Sequence, residues 1–217
     1  MSADEGGSRL ARLGPWMGIA FVALFVAGFL VFPTPTDSRS AVRTLKWATW
    51  WKNSDHRTQA IIGAYLMVLG VLAFVWFAWS LRERVRDRGG LMFTFGSVFA
   101  AVALVSALIR ASIPGAKEFG STPVPVNELP QQFDSIGFAL LLVAGALAAG
   151  LFVLLASLLA RQDRTLPLWL IISGFVVAAA QLGGVVFFPF VLFPLWVLVT
   201  SILLIQRERL VPFLSSE

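Results

Sequence analysis

The stretch "QAIIGAYLMVLGVLAFVWFAWSL", residues 59–81, contains no charged side chain and is apolar on every side. A helix needs roughly 20 such residues to cross a hydrocarbon core of about 30 Å, so this run alone points to a membrane span. Outward from it, further charge-free runs cover Trp16–Phe32, Leu91–Ile109, Ile136–Ala160, Leu166–Gly184 and Phe190–Gln206. The expected architecture is therefore an all-α integral membrane protein. Six transmembrane helices (16–32, 59–81, 91–109, 136–160, 166–184 and 190–206) make up a membrane domain over 16–206. It is flanked by a cytoplasmic N-terminal segment, 1–15, and a cytoplasmic tail, 207–217.

Composition agrees. Hydrophobic residues make up 58% of the 217 and charged residues only 13%, half the share of a soluble domain, with a mean hydropathy of +0.81. Cysteine is absent, which excludes a disulfide framework, a thiolate metal site and a cysteine nucleophile. The net charge of +5 sits in short clusters beside the apolar runs, a topology signal instead of a nucleic-acid stripe. Arginine dominates the basic residues, with Lys46, Lys52 and Lys117 the exceptions, a usage like that of high-GC bacteria.

The first run follows Arg9 and Arg12, is longer than a signal-peptide core, and lacks a small-residue cleavage site before "FPTPTDS"; it is expected to be a retained anchor. Orientation follows from the short loops. Arg82, Arg84, Arg86 and Arg88, then Arg161 and Arg164, then Arg207 and Arg209 mark the cytoplasmic side, which puts both termini inside. The outer segment 33–58 runs against this rule, with Arg39, Arg43, Lys46, Lys52 and Arg57. The inner loops outweigh it because they are short and dense in arginine.

Within "KWATWWKNSDHRT", residues 46–58, Trp47, Trp50 and Trp51 stand beside Lys46, Lys52 and Arg57. Indole rings favour the headgroup level and flanking cations reach phosphates, so Trp47, Trp50, Trp51, His56 and Arg57 are expected to be interfacial and lipid-facing. A helix from about Ser40 to Trp51 would lie along the interface with Trp47, Ala48 and Trp51 on one side. Ser54 or Asp55 would cap the second span. His56 is the chain's single histidine, and with only Asp55 near in sequence it makes a poor metal site.

The spans hold no Asp, Glu, Lys or His, the groups on which ion-coupled carriers and intramembrane enzymes rely. Arg110, at the outer end of the third run, is expected to snorkel as an anchor. No nucleotide, zinc or hydrolase motif is present, and no catalytic residue, cofactor site or metal site is assigned. Gln181 is the most polar residue within a run and is expected to bond across helices. Ser97, Ser106, Ser157, Ser173 and Thr200 would return their hydroxyls to their own helix backbones. Small residues four apart, such as Gly145 with Ala149 and the pair Gly183 and Gly184 opposite Ala179 and Ala180, mark spans four and five as the tight-packing elements. "FFPFVLFPLW", residues 187–196, reads as a rigid, greasy outer end of span six; "STPVPVNELPQQF", residues 121–133, reads as a semi-rigid docking surface.

The run "WWKNSDHRTQAIIGAYLMVLGVLAFVWFAWSLRERVR" (50–86), with "LPLWLIISGF" (166–175) and "PLWVLVTSILLIQRER" (194–209), resembles a group of uncharacterised actinobacterial multi-pass membrane proteins classed as a domain of unknown function. There an aromatic pair, here Trp50 and Trp51, precedes an His-Arg entry, here His56 and Arg57. A Trp-Phe, here Trp76 and Phe77, precedes an arginine-rich loop. The resemblance implies six membrane helices and carries no activity or catalytic residue. The expected function is a non-enzymatic plasma-membrane subunit that associates with itself or a larger complex, with membrane lipids and other membrane subunits as partners and no nucleic acid. The rival is a channel or carrier for an apolar or uncharged solute or lipid, with Gln181 lining the path; a third reading places enzyme chemistry on Asp55, His56 or Glu118.

Overall fold

The computed structural model describes residues 13–35, 43–85, 89–126, 128–163, 166–182 and 190–214. Every element among them is helical: α1 (Gly14–Val31), α2 (Arg43–Trp50), α3 (Ser54–Arg84), α4 (Gly90–Gly120), α5 (Leu129–Leu140), a π segment (Leu141–Gly145), α6 (Ala146–Asp163), α7 (Leu168–Gln181) and α8 (Leu192–Leu214). Where no water reaches the backbone, a helix satisfies its own N–H and C=O groups, so continuous apolar runs fold this way.

Four helical stretches are long and apolar enough to cross a membrane: Gly14–Val31, Ser54–Arg84, Gly90–Gly120 and the continuous Leu129–Asp163. They cover the first four expected spans and extend beyond them. The third passes Ile109 and continues to Gly120 with Pro114 inside it, although a proline there was expected to lie in a loop. Pro114 removes one backbone donor, and the carbonyl of Arg110 loses that partner, yet the flanking turns keep their bonds. Helix α7, of 14 residues, spans about 21 Å at 1.5 Å per residue and is shorter than the expected fifth run. The sixth run lies in α8. Residues 183–189 lie outside the described residues, as do Arg86, Arg88 and Arg164 of the orientation argument.

The most extensive helix pair is α1 with α3, spans one and two. Buried positions 14, 18, 21, 25 and 28 on α1 face 60, 63, 67, 70, 74, 77 and 81 on α3, alternating steps of three and four, the seam of a left-handed pairing. A Cβ on Gly28 would lie 2.6 Å from the Gly63 carbonyl oxygen, and one on Gly63 would lie 2.9 Å from that of Gly28. Backbone meets backbone there, and only glycine fits.

Helices α6 and α7 also pack together within the chain. The contact point is Gly150, where a Cβ would lie 2.9 Å from Cβ of the buried Gln181. Gly145 is not such a point, because a Cβ there meets side-chain atoms no closer than 3.3 Å; Ala149 is fully buried in the core. Gly183 and Gly184 lie outside the described residues.

The middle of the bundle is filled by phenylalanine from five helices: Phe21, Phe74, Phe99, Phe152 and Phe193. Ring centroids stand 4.8 Å apart for Phe99–Phe193, 5.0 Å for Phe21–Phe74 and 5.2 Å for Phe74–Phe152, with tilted or edge-on geometry that suits aromatic quadrupoles. Of the aromatic residues in 187–196, Phe190, Phe193 and Trp196 are buried. Leu192 and Leu195 take the outer face of that turn, because the helical period carries Phe193 and Trp196 inward together.

Filling the crossing should unlock this arrangement. Gly28→Ala is expected to lower stability by about 1–3 kcal/mol through overpacking against fixed backbone. Gly90→Ala, where a Cβ meets nothing within 4 Å, should be neutral or stabilising. Thermal unfolding of both variants in the same detergent makes the comparison.

Candidate functional site at the aromatic end

Two chemistries meet at the end of the bundle where α1 stops and α3 begins. The first is the tryptophan segment. Helix α2 buries Trp47, Ala48 and, just past its end, Trp51, which is only 1% exposed. These residues share one side, as the helical period indicates, but that side faces protein. Trp47 and Trp51 pack with Phe32 of the α1 end and Ala60 of α3, with Trp50, Ala111 and Ile113 beside them. The expected lipid-facing position of Trp47 and Trp51 is thus corrected: a notch between α1 and α3 removes more ring surface from water than a flat interface does.

The segment is fastened by the cations that follow it. A helix end leaves carbonyls without partners, and basic side chains satisfy them. Arg57 Nη1 donates to the carbonyls of Trp51 (3.0 Å) and Lys52 (2.7 Å), while its Nε donates to Glu118 Oε2 on α4 at 2.7 Å. His56 stacks on Trp50 with ring centroids 3.7 Å apart, and its Nδ1 lies 3.2 Å from the Trp50 carbonyl oxygen, which the Nδ1-protonated tautomer donates to. Arg57 and His56 therefore hold chain to chain. The cap of α3 is Asn53, whose Oδ1 accepts from the Asp55 backbone N–H at 2.9 Å, not Ser54 or Asp55. A cap must sit before the first helical residue in extended backbone, and Asn53 does.

The second chemistry is a buried ion pair. Arg110 of α4 is 5% exposed, and its Nε donates to Asp134 Oδ1 of α5 at 2.8 Å. Its guanidinium lies 4.2 Å from the Phe32 ring centre and 5.7 Å from those of Phe29 and Phe138. Snorkelling to the headgroups was the expectation; the side chain instead turns inward, because α4 continues past it and α5 supplies a carboxylate at the same level. One turn below, Ser106 Oγ donates to the Gly137 carbonyl at 2.7 Å, so this hydroxyl bridges helices instead of returning to its own. Gly137 gives room for the arginine stem, since a Cβ there would lie 2.5 Å from Arg110 Cγ. Ser97 and Ser173 do bond their own helices, to Phe93 and Leu170.

Sequence reasoning missed Asp134, Asn53 and Gly137. A signal existed: Arg110 and Asp134 sit at matching ends of two consecutive antiparallel runs, and Ser106–Arg110 and Asp134–Gly137 each recur at helical spacing on one face. Among the described residues no three His, Asp or Glu side chains are placed to hold a metal ion. Gln181, on α7, belongs to the Gly150 contact and not to this end. The arrangement ties helices together: Arg57 is bonded to carbonyls and to Glu118, and Arg110 to Asp134, while Arg110 Nη1 is buried with no acceptor among the described residues.

Comparison of the chain with protein-family models, curated proteins and solved structures gives no match.

Breaking one side of the buried pair is expected to cost more than removing both. Asp134→Leu leaves the Arg110 charge enclosed and should destabilise by about 3–5 kcal/mol, whereas Arg110→Met with Asp134→Leu should recover most of that loss. Denaturation midpoints of the two single variants and the double variant measure it.

Proposed function

We propose that this chain is a non-enzymatic, six-span subunit of a bacterial plasma membrane, with both termini cytoplasmic, that associates with itself or with a larger membrane complex through its aromatic end. The observation that carries the reading is a set of exposed apolar side chains beyond the ion-pair layer: Phe119, 78% exposed, with Val126 and Leu129 after it. Phe119 follows Glu118, whose partner Arg57 precedes the apolar run of α3, and this flanking ion pair supports a position beyond the apolar runs of both helices. Exposed apolar area outside the lipid layer marks a contact surface. The segment between α4 and α5 that carries it is short and bears Pro123 and Pro125, which limits the entropy lost on docking. The resemblance to actinobacterial multi-pass proteins belongs to the same proposal.

One observation favours the rival, lipid-handling reading. A groove of about 520 Å³ runs between α3 and α4, lined by Ile61, Ala64, Tyr65, Leu108, Gly115 and Phe119 among others. Against passage through the middle stands the phenylalanine core, which packs the axis with rings.

Native mass spectrometry of the protein extracted in mild detergent separates the two. The expected result is a stoichiometric assembly with other polypeptides or with copies of itself, dispersed by Phe119→Glu while the thermal midpoint of the isolated chain stays put. A lone chain that carries a solute flux in liposomes, lost on Gln181→Leu, would reverse the assignment.

A further inference from the structure

The opposite, arginine-rich end of the bundle holds a pocket of about 220 Å³ lined by Leu81, Arg84, Val85, Leu166, Leu204 and Arg207. Its apolar lining comes from α3 and its cap Val85, from α8 and from Leu166, two residues before α7, and its basic lining from the last turn of α3 and from α8. Arg84 Nη2 donates to Glu208 Oε1, which fixes the guanidinium. The Nε of Arg84 is buried and has no acceptor among the described residues. A guanidinium N–H withdrawn from water without an acceptor is costly, and arginine's fork of donors is matched by carboxylate or phosphate oxygens. The segments 82–88 and 161–164 add Arg82, Arg86, Arg88, Arg161 and Arg164 against Glu83, Asp87 and Asp163, a positive balance in sequence.

We propose that this pocket binds a phosphate group of net negative charge, with Arg84 Nε and the Arg207 guanidinium as donors and Leu81, Val85, Leu166 and Leu204 accommodating whatever apolar group adjoins it. The phosphate belongs either to the headgroup of an anionic phospholipid, as basic pockets between membrane helices commonly bind, or to a free ion. This assignment does not depend on the chain being a subunit.

The full-length protein in neutral detergent is titrated with phosphatidylglycerol, phosphatidylcholine or inorganic phosphate while its unfolding temperature is followed. The expected result is a rise with phosphatidylglycerol or with phosphate and none with phosphatidylcholine. A response to phosphatidylglycerol alone assigns the headgroup; a response to phosphate as well assigns the ion. Arg84→Gln and Arg207→Gln should each weaken the apparent affinity roughly tenfold or more, the loss of one charge-assisted hydrogen bond. Arg161→Gln, on an exposed position of α6, should not, and Glu208→Gln should keep or tighten binding. Leu166→Trp fills the pocket with both arginines in place and should abolish the response even if the arginine variants fail to fold. No rise with either probe, an equal rise with phosphatidylcholine, an unchanged response in Arg84→Gln and Arg207→Gln, or an equal loss in Arg161→Gln would overturn the proposal.

Discussion

At the crossing of α1 and α3, Gly28 and Gly63 each hold a carbonyl oxygen where the other's side chain would stand. In lipid no hydrophobic force favours one apolar helix face over another, so close backbone approach and the dispersion it permits choose the pair. That choice propagates. With α1 seated on α3, Phe21 reaches Phe74 and Phe25 reaches Phe99, and the rings of α4, α6 and α8 close over Phe74. At the α1 end the same register delivers Phe29 and Phe32 to the Arg110 guanidinium and leaves the notch that Trp51 fills.

The two ends of the molecule use charge in different ways. At the aromatic end Arg57 bonds helix-end carbonyls and Glu118, and Arg110 bonds Asp134. Such pairs tend to specify an arrangement more than they add stability, since desolvation offsets much of the Coulomb gain. The pair of Arg110 with Asp134 ties α4 to α5 just above the π segment Leu141–Gly145, whose wider turn re-aims the inward face of the long Leu129–Asp163 stretch. At the other end the Nε of Arg84 has no acceptor among the described residues, as is also true of Arg110 Nη1 at the aromatic end.

Legibility followed the range of each interaction. The run 59–81 announces a helix because length and the absence of charge are local properties, and so do 16–32, 91–109 and 136–160. Its end is harder: Pro114 and the polar residues after Arg110 read as a loop, yet one missing backbone bond does not stop a helix whose turns are otherwise intact. Small residues four apart pointed to spans four and five, whereas Gly28 meets Gly63 from a different helix, and no spacing within either segment encodes the meeting. The side shared by Trp47, Ala48 and Trp51 was legible; what it faces was not.

The sequence by itself determined that this is an all-helical chain of long apolar runs, because hydropathy over some twenty residues fixes how a backbone must satisfy its own hydrogen bonds in lipid. It also placed arginine at one end and tryptophan at the other. Only the tertiary structure decided which faces are inside, since a helix such as α3, apolar all round, carries no stripe to say so. It alone decided that Arg110 finds Asp134 and Arg57 finds Glu118. Those partners are far apart in the chain, and a pairing of that kind is set by the register between helices instead of by the period within one.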